Sequence, residues 1–502
     1  MTLTLPSQFS ADQALCASSL VRSLADRLAV LPAAEANGLA GHLLAPGGLA
    51  TDMRRLLDAA ACHHPNPAED KDHLPVTVAP TSPQQTTGRP TVLVVAPGDE
   101  VYRGYCLKQV AAAYDVAVIT PQPLTWEAGH VVDHELADPY DLDQLFAAGE
   151  AITARRTIAG VLTWNEPLLV HTARLGEHLG LRTNPASVMA NCRDKHATRR
   201  LLAAHRVPSA RSGRVADLLQ ATILAEDIGY PIVLKPAGQA GSVGVIRVDN
   251  SEDLASAFDF AAAGAGLDGG QNKDVLVEEY LDGPEISVEC VTQHGHTHAV
   301  AATRKKLGFE PYFEEVGHTV DATDPLLADV APIAAAAIRA LGIDHGIQHV
   351  EMRLTATGPR IIEVNGRIGG DLIGHLVRLA TGLDLPRIAA DLACGTNPSL
   401  EHTRLRAAGV TLLYPETSGT LTHRSIDPDF AGRTRWLDLV QWIGAVGDQI
   451  VLPPDGDVDV ARAGLYVVTG HDTAKVEQRL VETAQHITLT VQPGAAPAEG
   501  AA

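Results

Sequence analysis

The spacing of apolar residues changes several times along the chain, and these changes predict its domains. Residues 8 to 62 carry leucines at helical spacing and lead into a polar, Pro-rich linker. Apolar runs such as TVLVVAPGD and DVAVIT then alternate with helical segments, which predicts a parallel α/β sheet. An α+β region begins near residue 208, and the residues from about 409 are strand-rich with a closing helix. We therefore predict a helical extension and linker (1–88), a parallel α/β domain (89–190), an α+β core (191–395, central lobe about 208–285) and a C-terminal lobe with a disordered tail (396–502).

The stretch from Gly346 to Asp371 predicts a β-hairpin that carries a pair of acidic residues. A turn centred near residue 357 places Glu351 opposite Glu363, with their Cβ atoms roughly 5 Å apart. Such a like-charge pair is costly unless a cation bridges it, and Mg²⁺ takes carboxylate and amide oxygens. Asn365 points to the same face as Glu363 and can supply the amide oxygen. The alternative is an exposed acidic hairpin with solvated carboxylates.

Two further segments have the chemistry of a nucleotide site. Lys235 ends a predicted strand, and the glycine-rich turn from Ala237 to Gly244 follows it, so backbone N–H groups and an ammonium can meet a phosphate. The alternative is a plain hairpin. The segment from Asp274 to Glu289 is a strand, a turn and a second strand, whose backbone can read an adenine edge and whose carboxylates can accept from ribose hydroxyls.

Glu166 follows a predicted parallel strand in the sequence Trp164-Asn165-Glu166. Ligands bind beyond the carboxyl ends of such strands, so Glu166 can hold a substrate amine. The alternative is a surface carboxylate that caps the next helix.

Composition narrows the classes of protein. The chain has 502 residues and a net charge of −21, which argues against a nucleic-acid or anionic-membrane surface. The six cysteines show no CxxC spacing, and the first residues, MTLTLPSQF, lack a basic and apolar leader pattern. We expect a cytoplasmic protein.

Together these motifs resemble the ATP-grasp superfamily, over roughly Thr91 to the C-terminus. The resemblance implies an ATP-grasp architecture: a parallel α/β domain before the core, two α+β lobes that clamp ATP and a small strand-rich C-terminal lobe. The helical N-terminal region is extra to that plan. Two Mg²⁺ ions are implied, for which Mn²⁺ can substitute.

The resemblance also implies roles for individual residues. Arg367 matches the arginine that steadies the acyl phosphate and the tetrahedral intermediate. The metal ligands match Glu351, Glu363 and Asn365. The residues that match nucleotide contacts, from the phosphates through the mobile loop to adenine and ribose, are Lys195, Lys235, Gln239, Gly241, Ser242, Val243, Gly244, Glu278, Glu279, Leu281 and Glu285.

Within the superfamily, the sequences FEEVGH and EVNGRIGGD are similar to the L-amino-acid ligases of the bacilysin type, which join two unprotected amino acids. Glu315 and His318 match residues that line the amino-acid site of those enzymes. Gly370 and Asp371 fall where relatives shape the second pocket. His318 is either a general base for the ammonium or a packed histidine.

We accordingly predict an ATP-dependent ligase that forms C–N bonds between two amino acids or similar molecules. An acyl phosphate is the expected intermediate, with release of ADP and phosphate. The expected partners are a small carboxylic acid and an amine, with no nucleic acid and no membrane, and a homodimer is the usual prior for a soluble enzyme. The alternatives are a bicarbonate-using ATP-grasp carboxylase and an ATP-binding regulatory protein without turnover.

Overall fold

The computed structural model describes residues 88–238, 243–265, 274–456 and 458–493. Several predictions concern residues outside these ranges: the helices before residue 62, the loop residues Gln239, Gly241 and Ser242, and the tail after residue 493.

A four-stranded parallel sheet opens the described chain, as the sequence predicted. Its strand order is β3-β2-β1-β4. The strands β1 and β2 are buried throughout, which explains their continuous apolar runs. The elements are β1 (Thr91–Val95), α1 (Glu100–Ala111), β2 (Asp115–Thr120), a 3₁₀ turn (Trp126–Gly129), β3 (Asp133–Leu136), α2 (Leu142–Arg155), β4 (Ile158–Leu162), a 3₁₀ turn (Glu166–Leu168) and α3 (Leu169–His178).

Two short helices, α4 (Ala186–Arg193) and α5 (Lys195–Ala204), lead from this sheet to the next region. Asp194 separates them, and its side chain accepts hydrogen bonds from the backbone N–H groups of His196 and Ala197. This N-cap fixes the first turn of α5 and therefore the place of Lys195.

The central lobe is a four-stranded antiparallel sheet with the order β5-β8-β6-β7. Two helices pack against it through small apolar residues, including Ala221, Ala225 and Ala257. The elements are β5 (Ser212–Val215), α6 (Leu218–Ile228), β6 (Ile232–Pro236), β7 (Ile246–Val248), α7 (Leu254–Gly264) and β8 (Val275–Glu279).

The largest sheet has eight strands, in the order β13-β12-β9-β10-β11-β14-β18-β16. The two faces of this sheet pack against different hydrophobic cores. On one face Cys290 packs with α8, and on the other face the next residue, Val291, packs with α9 and α10. The elements are β9 (Glu285–Gln293), β10 (His296–Gly308), β11 (Glu314–Asp321), α8 (Leu326–Leu341), β12 (Gly346–Thr355), β13 (Gly358–Asn365), α9 (Ile373–Thr381), α10 (Leu385–Ala393), β14 (Ala407–Leu413), β16 (Leu437–Trp442) and β18 (Gly464–Gly470).

The C-terminal residues are divided between two sheets. Strand β14 pairs with β11, so β14, β18 and β16 continue the sheet of the core, where the sequence had suggested a separate lobe. The other strands form a small sheet with the order β17-β15-β19. The remaining elements are β15 (Gly419–Ile426), α11 (Pro428–Arg433), β17 (Gln449–Ile450), α12 (Val458–Ala461), α13 (Thr473–Ala484) and β19 (Ile487–Gln492).

One predicted helix was wrong in extent. The sequence from Leu376 to Cys394 predicts one helix, but Gly382 has a φ of +86° and separates α9 from α10. A glycine in the left-handed region commonly ends a helix. In the part of the chain that the structure describes, no helix combines the length and the apolar character needed to cross a membrane.

Candidate active site

The acidic hairpin is confirmed: β12 and β13 pair antiparallel with Glu351 directly opposite Glu363. The turn is tighter than expected, because Thr355 already pairs with Gly358. An irregularity after Glu351, which leaves Ile362 without a partner in the ladder, restores the predicted register.

Each carboxylate of this pair lies beside a buried lysine. The Glu363 Oε1 atom is 3.0 Å from Nζ of Lys195, and the Glu351 Oε1 atom is 3.0 Å from Nζ of Lys305. Neither glutamate is therefore merely solvated, as the alternative interpretation had it. Asn365 is buried on the face of Glu363, so two carboxylates and one amide supply oxygen donors at one place. This donor set fits Mg²⁺.

His349 supports the carboxylate of Glu351. Its Nε2 atom is 3.1 Å from Glu351 Oε1, and its Nδ1 atom is 2.9 Å from Oε1 of the fully buried Glu289. Burial alone would lower the pKa of the imidazole, but the charge of Glu289 and the hydrogen bonds to Glu289 and Glu351 together outweigh it and raise the pKa to about 9.

Lys235 and Glu278 form a buried ion pair with Arg199. Glu278 Oε2 lies 2.5 Å from Nζ of Lys235, and Glu278 Oε1 lies 2.9 Å from Nε of Arg199. Burial alone would raise the pKa of the Glu278 carboxyl, but these two cations lower it to about 2. Burial also lowers the pKa of Lys235. The Glu278 carboxylate thus holds both Lys235, a predicted phosphate contact, and the neighbouring Arg199.

The predicted adenine and ribose contacts follow on the connector between the central lobe and the large sheet. Glu279 is half-buried and bound by Arg360, with Oε1 2.6 Å from Nη1. The Oε2 atom of Glu285 lies 3.0 Å from Nε of Arg353. Leu281, which lies between Glu279 and Glu285 in the sequence, is buried.

Glu315, His318 and Asp371 form one cluster. The His318 Nε2 atom is 3.1 Å from Glu315 Oε2 and 3.4 Å from Asp371 Oδ2. Arg462 binds both oxygens of Asp371, at 2.7 and 3.0 Å. Burial lowers the pKa of His318, but the two carboxylates outweigh it and raise the pKa above its ordinary value. Asp371 has a φ of +45°, a strained conformation that the arginine holds in place.

Glu166 is buried, and this contradicts the alternative that it is a surface cap. Its Oε2 atom lies 2.6 Å from Nε of Arg367, and its Oε1 atom lies 3.7 Å from Nη1 of Arg193. Glu166, which follows strand β4 of the parallel sheet, thereby contacts Arg367, the predicted catalytic arginine.

A cleft that opens to solvent collects most of the predicted residues. Its lining includes Lys195, Lys235, Val243, Glu278, Glu279, Leu281, Glu285, Glu315, Glu351, Glu363, Arg367, Gly370 and Asp371. Of the other predicted residues that the structure describes, Glu166 and His318 lie one contact behind the lining, Asn365 is buried beside Glu363, and Gly244 has a φ of +69° in the turn before β7.

Sequence reasoning missed Arg199, Lys305, His349 and Arg462. Lys305 carried a signal, because it occupies an inward position of β10 while Lys306 points outward. A charged residue at an apolar position of a strand needs a buried partner. Arg462 carried no local signal, since its partner Asp371 is 91 residues away in the sequence.

Comparison with known families agrees with this geometry. Residues 228–375, which supply most of the cleft lining, match the family of the ATP-grasp domain. The chain contains an ATP-grasp domain. The whole described fold is also similar to the crystal structure of an L-amino acid ligase from Bacillus licheniformis, with a TM-score of 0.69, 21% identity and coverage of 81% of this chain and all of that one.

Curated relatives match parts of the chain. "Uncharacterized protein y4rH" of Sinorhizobium fredii is 27% identical over 305 residues, which are 60% of this chain and 63% of that protein. Human carnosine synthase 1 is 28% identical over 275 residues, which are 50% of this chain and 32% of that enzyme. The chain thus spans less than two thirds of either relative.

Proposed function

We propose that this protein is an ATP-dependent carboxylate–amine ligase that joins two amino acids or amino-acid-like molecules. The observation that carries the proposal is the convergence in one cleft of Lys195 and Lys235 with the opposed pair Glu351 and Glu363. The printed names of similar proteins, L-amino acid ligase and carnosine synthase, support this class of reaction.

The nucleotide end of the cleft would hold ATP. Lys195 and Lys235 offer two ammonium groups to the phosphates, and Val243 lines the cleft from the glycine-rich turn. The carboxylate of Glu285 would accept from ribose hydroxyls. Glu351, Glu363 and Asn365 would hold Mg²⁺, which supplies neutralisation of phosphate charge when bound.

The chemistry begins with transfer of the γ-phosphoryl group to a substrate carboxylate, because a free carboxylate is a poor acylating agent. The two lysines stabilise the charge of the transferring group. The amine then attacks the carbonyl carbon of the acyl phosphate, the C–N bond forms, and phosphate leaves. Arg367, which Glu166 holds at 2.6 Å, would stabilise the oxyanion of that addition.

The acceptor end of the cleft has the charges for an amino acid. Glu315 and Asp371 can hold an ammonium group, and His318 lies between them. The two carboxylates raise the pKa of His318 and so favour its protonated form, and we therefore assign His318 to holding Glu315 and Asp371 in place around the ammonium.

The test is a matrix of amino-acid pairs incubated with the protein and Mg-ATP, scored for ADP, AMP and phosphate and then for product mass. We expect ADP, phosphate and a product whose mass equals the two reactants minus water. Glu363→Gln should lower turnover at least about a hundredfold, because it removes charge from the metal and phosphate site. Release of AMP would refute the acyl-phosphate mechanism, and turnover that requires bicarbonate would favour a carboxylase.

Asp329→Asn is the matched control for Glu363→Gln. It makes the same acid-to-amide change in the first turn of α8, outside the cleft lining, and should leave turnover unchanged. Full turnover by Glu363→Gln would refute the assignment of this hairpin to the metal.

A further inference from the structure

Lys305 lies behind the cleft lining and contacts residues assigned to the nucleotide, metal and acceptor ends of the cleft. Its side chain is only 1% exposed. Its Nζ atom is 2.6 Å from Glu315, 3.0 Å from Glu351 and 3.6 Å from Glu285. One ammonium group therefore contacts three carboxylates to which the proposed function gives three different tasks.

Each of these carboxylates also has a cationic partner of its own. These separate partners are Arg353 for Glu285, His349 for Glu351 and His318 for Glu315. Lys305 is the group that the three share. Removal of Lys305 would leave three acidic side chains close together and buried, each with one remaining cationic partner.

We propose that Lys305 is a positioning residue that takes the place of a metal cation beside Glu351 in the nucleotide-free protein, so that metal binds efficiently only together with ATP. This inference rests on the proposed function, which assigns Glu351 to the metal. An ammonium 3.0 Å from the carboxylate oxygen repels an incoming divalent cation.

The ammonium group of Lys305 can move away from Glu351 when ATP binds. Its flexible four-carbon stem lets the ammonium move toward Glu315 and Glu285, which it already contacts, without leaving the cluster. The phosphates of ATP then supply the negative charge that a divalent cation needs beside Glu351. Metal and nucleotide binding are coupled in this way through one side chain.

The test measures Mn²⁺ binding from the free-ion signal in electron paramagnetic resonance, with and without a non-hydrolysable ATP analogue. In the absence of nucleotide, Lys305→Met should bind Mn²⁺ about tenfold more tightly than the wild type, because the competing charge is gone. With the analogue, the two should differ by less than about threefold. A purely structural lysine that stayed beside Glu351 would give the same ratio of Mn²⁺ affinities with and without the analogue.

The neighbouring lysine provides the matched control. Lys306 is about half exposed and pairs with Glu477 at the surface, so Lys306→Met should bind Mn²⁺ like the wild type under both conditions. If Lys305→Met does not fold, the double variant Lys305→Met/Glu315→Gln removes one buried charge of each sign and should show the same tightening.

The outcomes separate this inference from the proposed function. If Glu351→Gln weakens Mn²⁺ binding with the analogue but Lys305→Met leaves nucleotide-free binding unchanged or weaker, Lys305 does not stand in for the metal. If Glu351→Gln binds Mn²⁺ with the analogue as well as the wild type does, the assignment of Glu351 to the metal is wrong, and the inference about Lys305 falls with it.

Discussion

The ion pair at Glu278 should make the central lobe sensitive to acid. The folded protein lowers the pKa of this carboxyl from 4.5 to about 2. A lowered pKa contributes stability that is complete well above pH 4.5 and is lost as the pH falls toward 2. At about 1.36 kcal/mol for each pKa unit, the contribution at pH 7 is about 3 kcal/mol, equivalent to roughly 300-fold in the opening equilibrium.

Hydrogen exchange followed by mass spectrometry measures this local opening through peptides that cover β6 and β8. At pH 7, Glu278→Gln should speed exchange of these peptides at least about 300-fold, because the carboxylate charge is lost and two buried cations remain. At pH 3 the Glu278 carboxylate of the wild type contributes only about 1 kcal/mol to stability. The exchange rate of the variant should then exceed that of the wild type only roughly tenfold.

A neighbouring substitution serves as the control. Glu279→Gln changes the adjacent residue, which is more exposed and binds Arg360, and should speed exchange less than about tenfold. A ratio for Glu278→Gln that is equally large at pH 3 and pH 7 would refute the reasoning, since the effect would then not come from the charge.

Two further predictions concern positions that hold the cleft in shape. Arg462→Lys keeps the charge beside Asp371 but loses the two-point contact, so kcat/KM for the amino-acid substrate should fall about ten- to a hundredfold while KM for ATP stays within about twofold. A parallel rise in KM for ATP would contradict this local role. Gly283→Ala would bring a Cβ atom to 2.1 Å from the Leu354 carbonyl oxygen at a φ of +135°. The Tm should fall by about 5 °C or more, whereas Gly432→Ala, which points into open space, should change it by less than about 2 °C, and equal shifts would disprove the clash.

The sequence predicted the parts of the fold that depend on local spacing. The parallel sheet followed from short apolar runs between helices, and the pairing of Glu351 with Glu363 followed from period-two alternation around a turn. The break between α9 and α10 was missed because both segments have helical periodicity, and only the left-handed φ of Gly382 separates them.

The site was predictable where one segment carries several functional groups, and not where distant segments meet. Glu363, Asn365 and Arg367 occur at every second position of one strand and its extension, so their common face could be read from the sequence. The charged partners of Glu363 and Arg367 come from elsewhere: Lys195 begins a helix, and Glu166 follows a strand of another sheet. Such contacts depend on tertiary packing, which spacing along the chain does not encode.

The continuity of β11 with β14 bears on how this protein can be divided or recombined. A fragment that ended near residue 396 would leave the edge of β11 unpaired and ready to associate with other chains. It would also lack Arg462, and with it the group that holds Asp371. A chimaera that exchanged the C-terminal segment for one from a relative would have to supply both a matching strand and an arginine at the same place.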